Sequence, residues 1–214
     1  MTFPRKGTVT IRVMLLVVLA ALVVIGGCDP VTLFLEPIES SEVRIREDAI
    51  LGRWTSEGLS DFFDNDMIVA IDGGRRGAYT INISQKEFEP GDINDLIFNS
   101  YLVTLGNRTF IDIVQKDALL KIGHRLNDLP DTIRRHTLPV HIVGRIDVEG
   151  ETITVEWLSA EWLQEYLEAH PAELEYLKNS VLVISDRETV QNFLVAHGKE
   201  WAICEEPWIF ERVE

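Results

Sequence analysis

The chain has 214 residues, with 35 acidic and 20 basic side chains and a formal net charge of −15. A surface this acidic repels phosphate backbones and anionic headgroups, which excludes nucleic acid and a polybasic membrane contact from the expected modes of binding. The two cysteines are too few for a disulfide framework, so stability has to come from a packed core.

The first 28 residues have the layout of a signal peptide. Three basic residues precede an apolar run over residues 13–25, and Gly26-Gly27-Cys28 follows. A membrane-spanning helix needs about 20 apolar residues. This run is shorter and ends at two glycines. It therefore predicts a signal peptide over residues 1–27 that directs export of the chain and is then removed. A permanent N-terminal anchor is the alternative.

The string Ile25-Gly26-Gly27-Cys28 resembles the lipobox of bacterial lipoproteins, in which one aliphatic and two small residues precede a cysteine. The resemblance implies cleavage between Gly27 and Cys28, lipid on Cys28, and a place in the cell envelope on the extracytoplasmic side of a membrane. Several acyl chains suffice as an anchor, since each buried methylene contributes about 0.8 kcal/mol. With Cys28 acylated, Cys204 has no partner for a disulfide. Asp29 resembles the signal that retains enteric lipoproteins at the periplasmic face of the inner membrane.

Residues 28–47 are expected to form a lipidated tether. This stretch holds two prolines and the polar run Glu39-Ser40-Ser41-Glu42, with only a brief apolar patch. Residues 48–214 then form a single β-rich globular domain, which is long enough to fold around its own core.

Most of this domain reads as β-strands. Apolar and polar side chains alternate over residues 79–84, which is the period of a half-buried strand. Further strands are predicted at residues 51–56, 67–72, 181–184 and 208–213.

Residues 140–158 predict a hairpin that turns at Glu149-Gly150, since glycine supplies the positive φ of a tight turn. This register places Ile146 opposite Ile153 and Ile142 opposite Trp157 on one apolar face, and Arg145 opposite Thr154 on the other.

A second hairpin is predicted over residues 98–115 through Gly106-Asn107. Both faces of its return strand are apolar, with Phe110 and Val114 on one face and Ile111 and Ile113 on the other. Another element therefore has to cover its outer side.

Two helices in the second half of the domain can provide that cover. The first begins near Ser159, carries an apolar stripe, and is stopped by Pro171. The second opens with the capping box Ser185-Asp186-Arg187-Glu188 and ends at Gly198. The expected fold is mainly β (α+β): a strongly bent antiparallel sheet or barrel-like meander of about 8–9 strands, with both helices packed on it.

Gly52-Arg53-Trp54, near the start of the first strand of the domain, resembles the Gly-x-Trp element of lipocalins. Arg212 on the last strand resembles the arginine that packs across that tryptophan in those barrels. The resemblance implies that Trp54 and Arg212 are a barrel-closing pair, although the two late helices depart from the usual lipocalin order. Three strings also resemble a group of uncharacterised bacterial proteins, which implies no activity: Phe110-Ile-Asp-Ile-Val, Leu138-Pro-Val-His141 and Trp162-Leu163.

Asp112 and His141 are the candidate buried polar residues. Asp112 lies between Ile111 and Ile113, where an ionised carboxylate is costly unless it is paired. It is either the polar anchor of a pocket or an aspartate paired with an arginine or a tyrosine. His141 shares a strand face with Val143, which favours a histidine satisfied by hydrogen bonds beneath a helix.

No side-chain pattern predicts a metal, a cofactor or a catalytic residue. Asp61, Asp64, Asp66 and Asp72 are interrupted by apolar residues where calcium ligands should fall, so a polar turn is the simpler interpretation. No two histidines are four residues apart, as a helical zinc site requires. Acidic neighbours disfavour the thiolate of Cys204.

The sequence favours a non-enzymatic, lipid-anchored extracytoplasmic domain that binds a small apolar ligand or a partner protein of the envelope. A structural accessory lipoprotein is the alternative, and an envelope hydrolase is a third. An enclosed apolar cavity favours the ligand, an exposed apolar patch favours the partner, and Asp112 and His141 beside a pocket favour the enzyme.

Overall fold

The computed structural model describes residues 32–56, 67–85, 96–115, 140–177, 182–198 and 207–213. These residues form twelve β-strands and two α-helices, together with short 3-10 turns at Asp48–Ile50 and Arg75–Gly77. The strands are β1 (Leu33–Phe34), β2 (Arg44–Ile45), β3 (Gly52–Thr55), β4 (Met67–Gly73), β5 (Ala78–Gln85), β6 (Leu96–Leu105), β7 (Arg108–Gln115), β8 (His141–Glu149), β9 (Thr152–Trp157), β10 (Tyr176–Leu177), β11 (Leu182–Val183) and β12 (Trp208–Arg212). The helices are α1 (Ala160–Ala169) and α2 (Arg187–His197).

Eight of the described strands form a closed antiparallel barrel. Strands β3 to β9 pair in chain order, and β12 closes the ring by pairing with β9 on one side and β3 on the other. Closure satisfies the backbone hydrogen bonds that the two edges of an open sheet would expose. The predicted fold class, a mainly β barrel-like meander with two helices in its second half, is confirmed.

The two ends of the barrel differ in how the strands connect. At one end, the turn end, short connections such as Gly106-Asn107 and Gly150-Glu151 join neighbouring strands. At the other, the loop end, the connecting segments are residues 57–66, 86–95 and 116–139.

The β8–β9 hairpin forms where it was predicted, but the predicted register was wrong by two residues. Gly150, with a φ of +62°, takes the first position of the turn, so the turn lies one residue later than expected. Ile146 therefore faces Val155, and Trp157 faces Gly144. Because the shift is even, the predicted apolar face still points to the core.

The β6–β7 hairpin turns at Gly106-Asn107 as predicted. The inward face of β7 carries Ile111 and Ile113, and its outward face carries Phe110, which is fully buried under the helices. The expectation that another element covers the outer side is confirmed.

The core accordingly has two parts, divided by the sheet. The inner part fills the barrel, and its buried members include Trp54, Tyr79, Leu102, Ile146 and Phe210. The outer part lies between the barrel and both helices, and its buried members include Phe34, Val143, Leu163, Leu167 and Leu194.

Both helices begin at side-chain caps. Ser159 accepts a hydrogen bond from the backbone N–H of Trp162 at the start of α1, as predicted. At α2 the cap is Asp186 rather than Ser185, and it accepts from the N–H of Thr189. The hydrogen bonds that Asp186 accepts from the backbone N–H and the hydroxyl of Thr189 hold the pKa of its carboxyl group below the usual value. The hydroxyl of Ser185 accepts from the backbone of Glu175 instead.

Residues 32–47 are part of the fold, so the expectation of a tether over residues 28–47 was wrong for this stretch. Thr32, Phe34 and Ile38 are fully buried. Strand β1 pairs with β8 and β11, and β2 pairs with β6. The prolines and serines pointed to a solvated chain, whereas two buried apolar side chains, Phe34 and Ile38, fix it to the barrel wall.

Candidate functional site

The barrel interior contains an apolar cavity of about 70 Å³. One water molecule needs roughly 10–15 Å³, so the space is larger than a single water molecule. All the lining side chains are apolar, which favours an apolar occupant. They are Trp54, Val69, Ile71, Ile81, Ile83, Ile111, Ile113, Ile146, Ile153, Val155, Trp157 and Phe210.

Gly144 shapes the wall of this cavity beside Trp157. A Cβ built on Gly144 would lie 2.8 Å from Cε3 of Trp157 and 3.0 Å from Cγ1 of Val155. Only glycine therefore allows the indole ring to lie against β8. The sequence analysis did not single out Gly144, because its partner becomes visible only in the correct β8–β9 register.

The inward faces also carry polar groups, among them the indole N–H groups of Trp54 and Trp157 and the hydroxyl of Ser100. The indole N–H of Trp54 donates to the carbonyl of Ile50 at 2.9 Å. The indole N–H of Trp157 and the hydroxyl of Ser100 are buried, and no described residue hydrogen-bonds to either. The sequence pattern predicted the inward face of Trp157 but gave no signal for its missing partner.

At the turn end, Arg212 and Trp54 lie in direct contact. The guanidinium of Arg212 stacks 4.2 Å from the centre of the Trp54 ring and donates to the carbonyls of Leu51 at 2.8 Å and Ala49 at 2.7 Å. Gly52 has a φ of +134°, and a Cβ there would lie 2.6 Å from Nη1 of Arg212. This glycine therefore supplies both the backbone conformation and the space that the contact needs.

A second contact closes the same end. The hydroxyl of Tyr79 accepts from the backbone N–H of Glu47 at 2.7 Å and lies 3.3 Å from the carbonyl of the same residue. Burial raises the pKa of the Tyr79 hydroxyl above its usual value. The chain before β3 is thus attached to the barrel through side chains of both β5 and β12.

Asp112 and His141 are brought together on the outward face of β7 and β8. Asp112 is fully buried, its Oδ1 lies 2.7 Å from Nδ1 of His141, and its Oδ2 accepts from the N–H of Ile38 at 2.9 Å. The expected arginine or tyrosine partner was wrong, because the pairing of β7 with β8 brings His141 to one carboxylate oxygen and the segment after β1 brings a backbone N–H to the other. The sheet separates the pair from the cavity, so the two residues do not lie beside it.

The segment that follows β1 is also attached to α2. Gln191 donates to the carbonyl of Ile38 at 2.7 Å, and Arg187 donates to the carbonyl of Pro37 at 3.0 Å. Ile38 therefore has its N–H bound to the barrel and its carbonyl bound to the helix. We call this pair of hydrogen bonds the Ile38 clamp, in which Asp112 is the partner on the barrel and Gln191 is the partner on α2.

The remaining sequence candidates do not form a site in the described part of the chain. Gly27, Cys28, His136, Cys204 and the aspartates at 61, 64 and 66 lie outside the described residues. Within the described ranges, no three histidine, cysteine, aspartate or glutamate side chains are placed to hold a metal ion. Neither described helix is long and apolar enough to cross a membrane.

His170 and His197 lie at the C-terminal ends of α1 and α2. Nδ1 of His170 is 3.0 Å from the carbonyl of Tyr166, and Nε2 of His197 is 2.9 Å from Oε2 of Glu173. Both rings pack on Tyr166. This cluster joins the ends of the two helices.

No protein-family model, curated protein or solved structure matches this chain. The site is therefore defined by its geometry alone.

Replacing Arg212 by alanine is expected to lower the free energy of unfolding by about 2–3 kcal/mol, because it removes the stacking on Trp54 and two charge-assisted hydrogen bonds. Urea unfolding followed by tryptophan fluorescence measures the change. Arg53→Ala is the matched control, since Arg53 is exposed on the neighbouring strand, and should change stability by no more than about 0.5 kcal/mol. Equal losses in both variants would contradict the closing role of Arg212.

Replacing Asp112 by alanine is expected to cost about 3–5 kcal/mol, because it leaves the Ile38 N–H and His141 buried without their acceptor. The exposed Asp147→Ala variant serves as the control, with a change within about 0.5 kcal/mol. Hydrogen exchange should show the loss first at the amide of Ile38. Unchanged protection there would rule out the clamp.

Proposed function

We propose that this chain is a lipoprotein, anchored through acylated Cys28 on the extracytoplasmic side of a bacterial membrane, whose barrel binds a small apolar ligand. The single observation that carries the binding role is the closed barrel with a cavity of about 70 Å³ lined only by apolar side chains. The stacking of Arg212 on Trp54 further supports the resemblance to lipocalin barrels.

The size and position of the cavity define the guest. The space is narrow, so the guest is a small molecule or one end of a slender one. The turn end is closed by the packed residues before β3, among them fully buried Ile50.

The anchor fits the packing of the first described residues. The N–H of Thr32 donates to the carbonyl of Leu158 at 3.0 Å, so the chain is fixed to the fold from that point. Four residues span at most about 14 Å when fully extended. A lipid on Cys28 would therefore hold the barrel directly against the bilayer surface.

Binding of a partner protein has less support from the described surface. Its exposed large apolar side chains are Leu177, Val195 and Ile209, on β10, α2 and β12 respectively. Single apolar residues on separate elements are ordinary for a protein surface, whereas an interface is marked by a contiguous patch.

The binding role predicts that hexane binds to the barrel and that Val155→Phe abolishes this binding, because the larger ring fills the cavity beside Trp157. Tryptophan fluorescence and a proton NMR titration measure binding. The overpacked variant should lose about 1–3 kcal/mol of stability and remain folded by near-UV circular dichroism.

Thr154→Phe is the matched control. Thr154 is next to Val155 in β9, but its side chain lies on the outward face of the barrel, opposite Asp147. This variant should bind hexane as the wild type does. Failure of the wild-type protein to bind hexane, or equal binding by Val155→Phe, would overturn the cavity as the binding site.

The anchor predicts that Cys28→Ser abolishes labelling with a radioactive or clickable fatty acid and moves the protein out of the membrane fraction, because the thiol that receives the lipid is gone. Cys204→Ser provides the control, since it removes the other cysteine of the chain and should leave labelling unchanged. Normal labelling of Cys28→Ser would refute the anchor without affecting the cavity.

A further inference from the structure

We propose that a second pocket, at the turn end of the barrel, binds the phosphate group of a small molecule through Arg46 and Arg76. The pocket has a volume of about 410 Å³, is open to solvent and shares no lining residue with the apolar cavity. It is lined by Ser41, Arg44, Ile45, Arg46, Arg76 and Gly77. This site goes beyond the proposed function, since it requires neither the apolar ligand nor the lipid anchor.

The pocket concentrates positive charge on an acidic protein. Three of its six lining residues are arginines, in a chain with a net charge of −15. Arg44 lies on β2 and Arg46 directly follows that strand, whereas Arg76 lies in the turn between β4 and β5. A guanidinium group presents N–H donors in a planar fork that fits the oxygens of phosphate. Such donors around a concave surface indicate an oxyanion as the ligand.

The guanidinium of Arg46 reaches the same turn that carries Arg76. A Cβ built on Gly73, the last residue of β4, would lie 3.6 Å from Nη2 of Arg46. Nε of Arg46 donates to Asp48 at 2.7 Å, and no described residue accepts a hydrogen bond from its two Nη groups. The side chains of this ion pair are 55% and 69% exposed, so the pair contributes little and does not compete strongly with a ligand.

Arg76 supplies the second fork. Its side chain is exposed, and within the described ranges no acidic side chain pairs with it. Its backbone has a φ of +58° and a ψ of +35°, the left-handed conformation that is unfavourable for arginine. Glycine or asparagine adopts this conformation more readily. Strained backbone is often found at binding sites, and an arginine at this position indicates a use for its side chain.

Arg44 is the positioning residue of the pocket. Its Nη1 donates to the carbonyl of Arg76 at 2.9 Å, and its Nη2 pairs with Glu39. The guanidinium stacks 4.4 Å from the centre of the Tyr101 ring. Its aliphatic part lies against Gly77, where a Cβ would be 3.3 Å from Cδ of Arg44. These contacts fix the turn against β2, so the pocket is formed before a ligand binds.

Two forks from different segments favour a phosphate over a carboxylate. The oxygens of a phosphate point in several directions and can accept from both guanidinium groups at once, whereas the two oxygens of a carboxylate lie in one plane. The acidic residues Glu39 and Asp48 beside the arginines, and the net charge of the chain, repel a long polyanion. The expected ligand is therefore a small molecule with an isolated phosphate group, not a nucleic acid.

Titration calorimetry of the purified full chain with inorganic phosphate, sulfate and acetate at neutral pH tests this chemistry. Phosphate and sulfate should bind at least about threefold more tightly than acetate. In ¹⁵N-labelled protein, the side-chain resonances of Arg46 and Arg76 should move on addition of phosphate. Acetate that binds as tightly as phosphate would overturn the assignment to a tetrahedral oxyanion.

Arg76→Asn removes the guanidinium and places a residue that tolerates the left-handed conformation. The affinity for phosphate should fall by about tenfold, while the midpoint of thermal unfolding stays the same or rises. Arg46→Gln should weaken phosphate binding in the same way. Arg53→Gln is the matched control, because it removes an equal charge from an exposed position on β3 outside the pocket, and it should change the affinity by less than about twofold.

Glycerol 3-phosphate and monomeric dihexanoyl phosphatidylglycerol distinguish the two sources of a phosphate group. Tighter binding of glycerol 3-phosphate that Arg76→Asn weakens would assign the site to a soluble phosphate ester. Tighter binding of phosphatidylglycerol that Arg76→Asn weakens would assign it to a lipid headgroup.

Three results would overturn the site: no binding of phosphate to the wild type, equal affinities in the wild type and both pocket variants, or a loss in Arg53→Gln as large as that in Arg76→Asn. The last result would show an effect of net charge alone. Hexane binding to the cavity is measured separately, so either site can fail without the other.

Discussion

The structure depends on the closure of the barrel by its last strand. β12 has hydrogen bonds to β9 on one side and to β3 on the other, and both helices lie between β9 and β12 in the chain. Such a closure is a long-range contact with an entropic cost. Arg212 offsets that cost where β12 meets the start of β3, since it stacks on Trp54 and donates to two carbonyls of the residues before β3. With the ring closed, the inward apolar side chains of the described strands pack on one another in a single core cluster.

Two tryptophans of the barrel, Trp54 and Trp157, differ in how their indole N–H groups are used. Trp54 has its N–H bound to Ile50 and its ring under a guanidinium, so its polar group is fully used in stability. Trp157 has a comparable aromatic packing on Gly144 and Trp208, but its N–H is not used by any described residue. In both residues, the burial of apolar surface accounts for the packing of the ring. A buried donor without a partner is costly for stability.

The features that could be predicted from sequence were those encoded locally. Alternation placed the strands, Gly106 placed a turn, and Ser159 placed a helix start, because each depends on a few adjacent residues. Only one half of the pairing of Asp112 involves a side chain, that of His141. The other half could not be predicted, because it is the backbone N–H of Ile38, which every sequence offers equally. The β8–β9 register was wrong because Glu149-Gly150 and Gly150-Glu151 both place a glycine in a two-residue turn, and only the packing of Trp157 on Gly144 distinguishes them. The unused N–H of Trp157 is likewise a property of packing.

The error over residues 32–47 changes the physical meaning of the proposed anchor. A free tether of twenty residues would let the barrel move well away from a bilayer. Instead, Ile38 is held from both sides, by Asp112 of the barrel and Gln191 of α2, and Thr32 is already bonded to Leu158. A lipid four residues before Thr32 would keep this wall of the barrel within about 14 Å of its attachment point. Since Leu158 directly follows the last residue of β9, the fixed point lies towards the loop end. A lipid on Cys28 would therefore hold the loop-end half of the barrel close to the membrane surface.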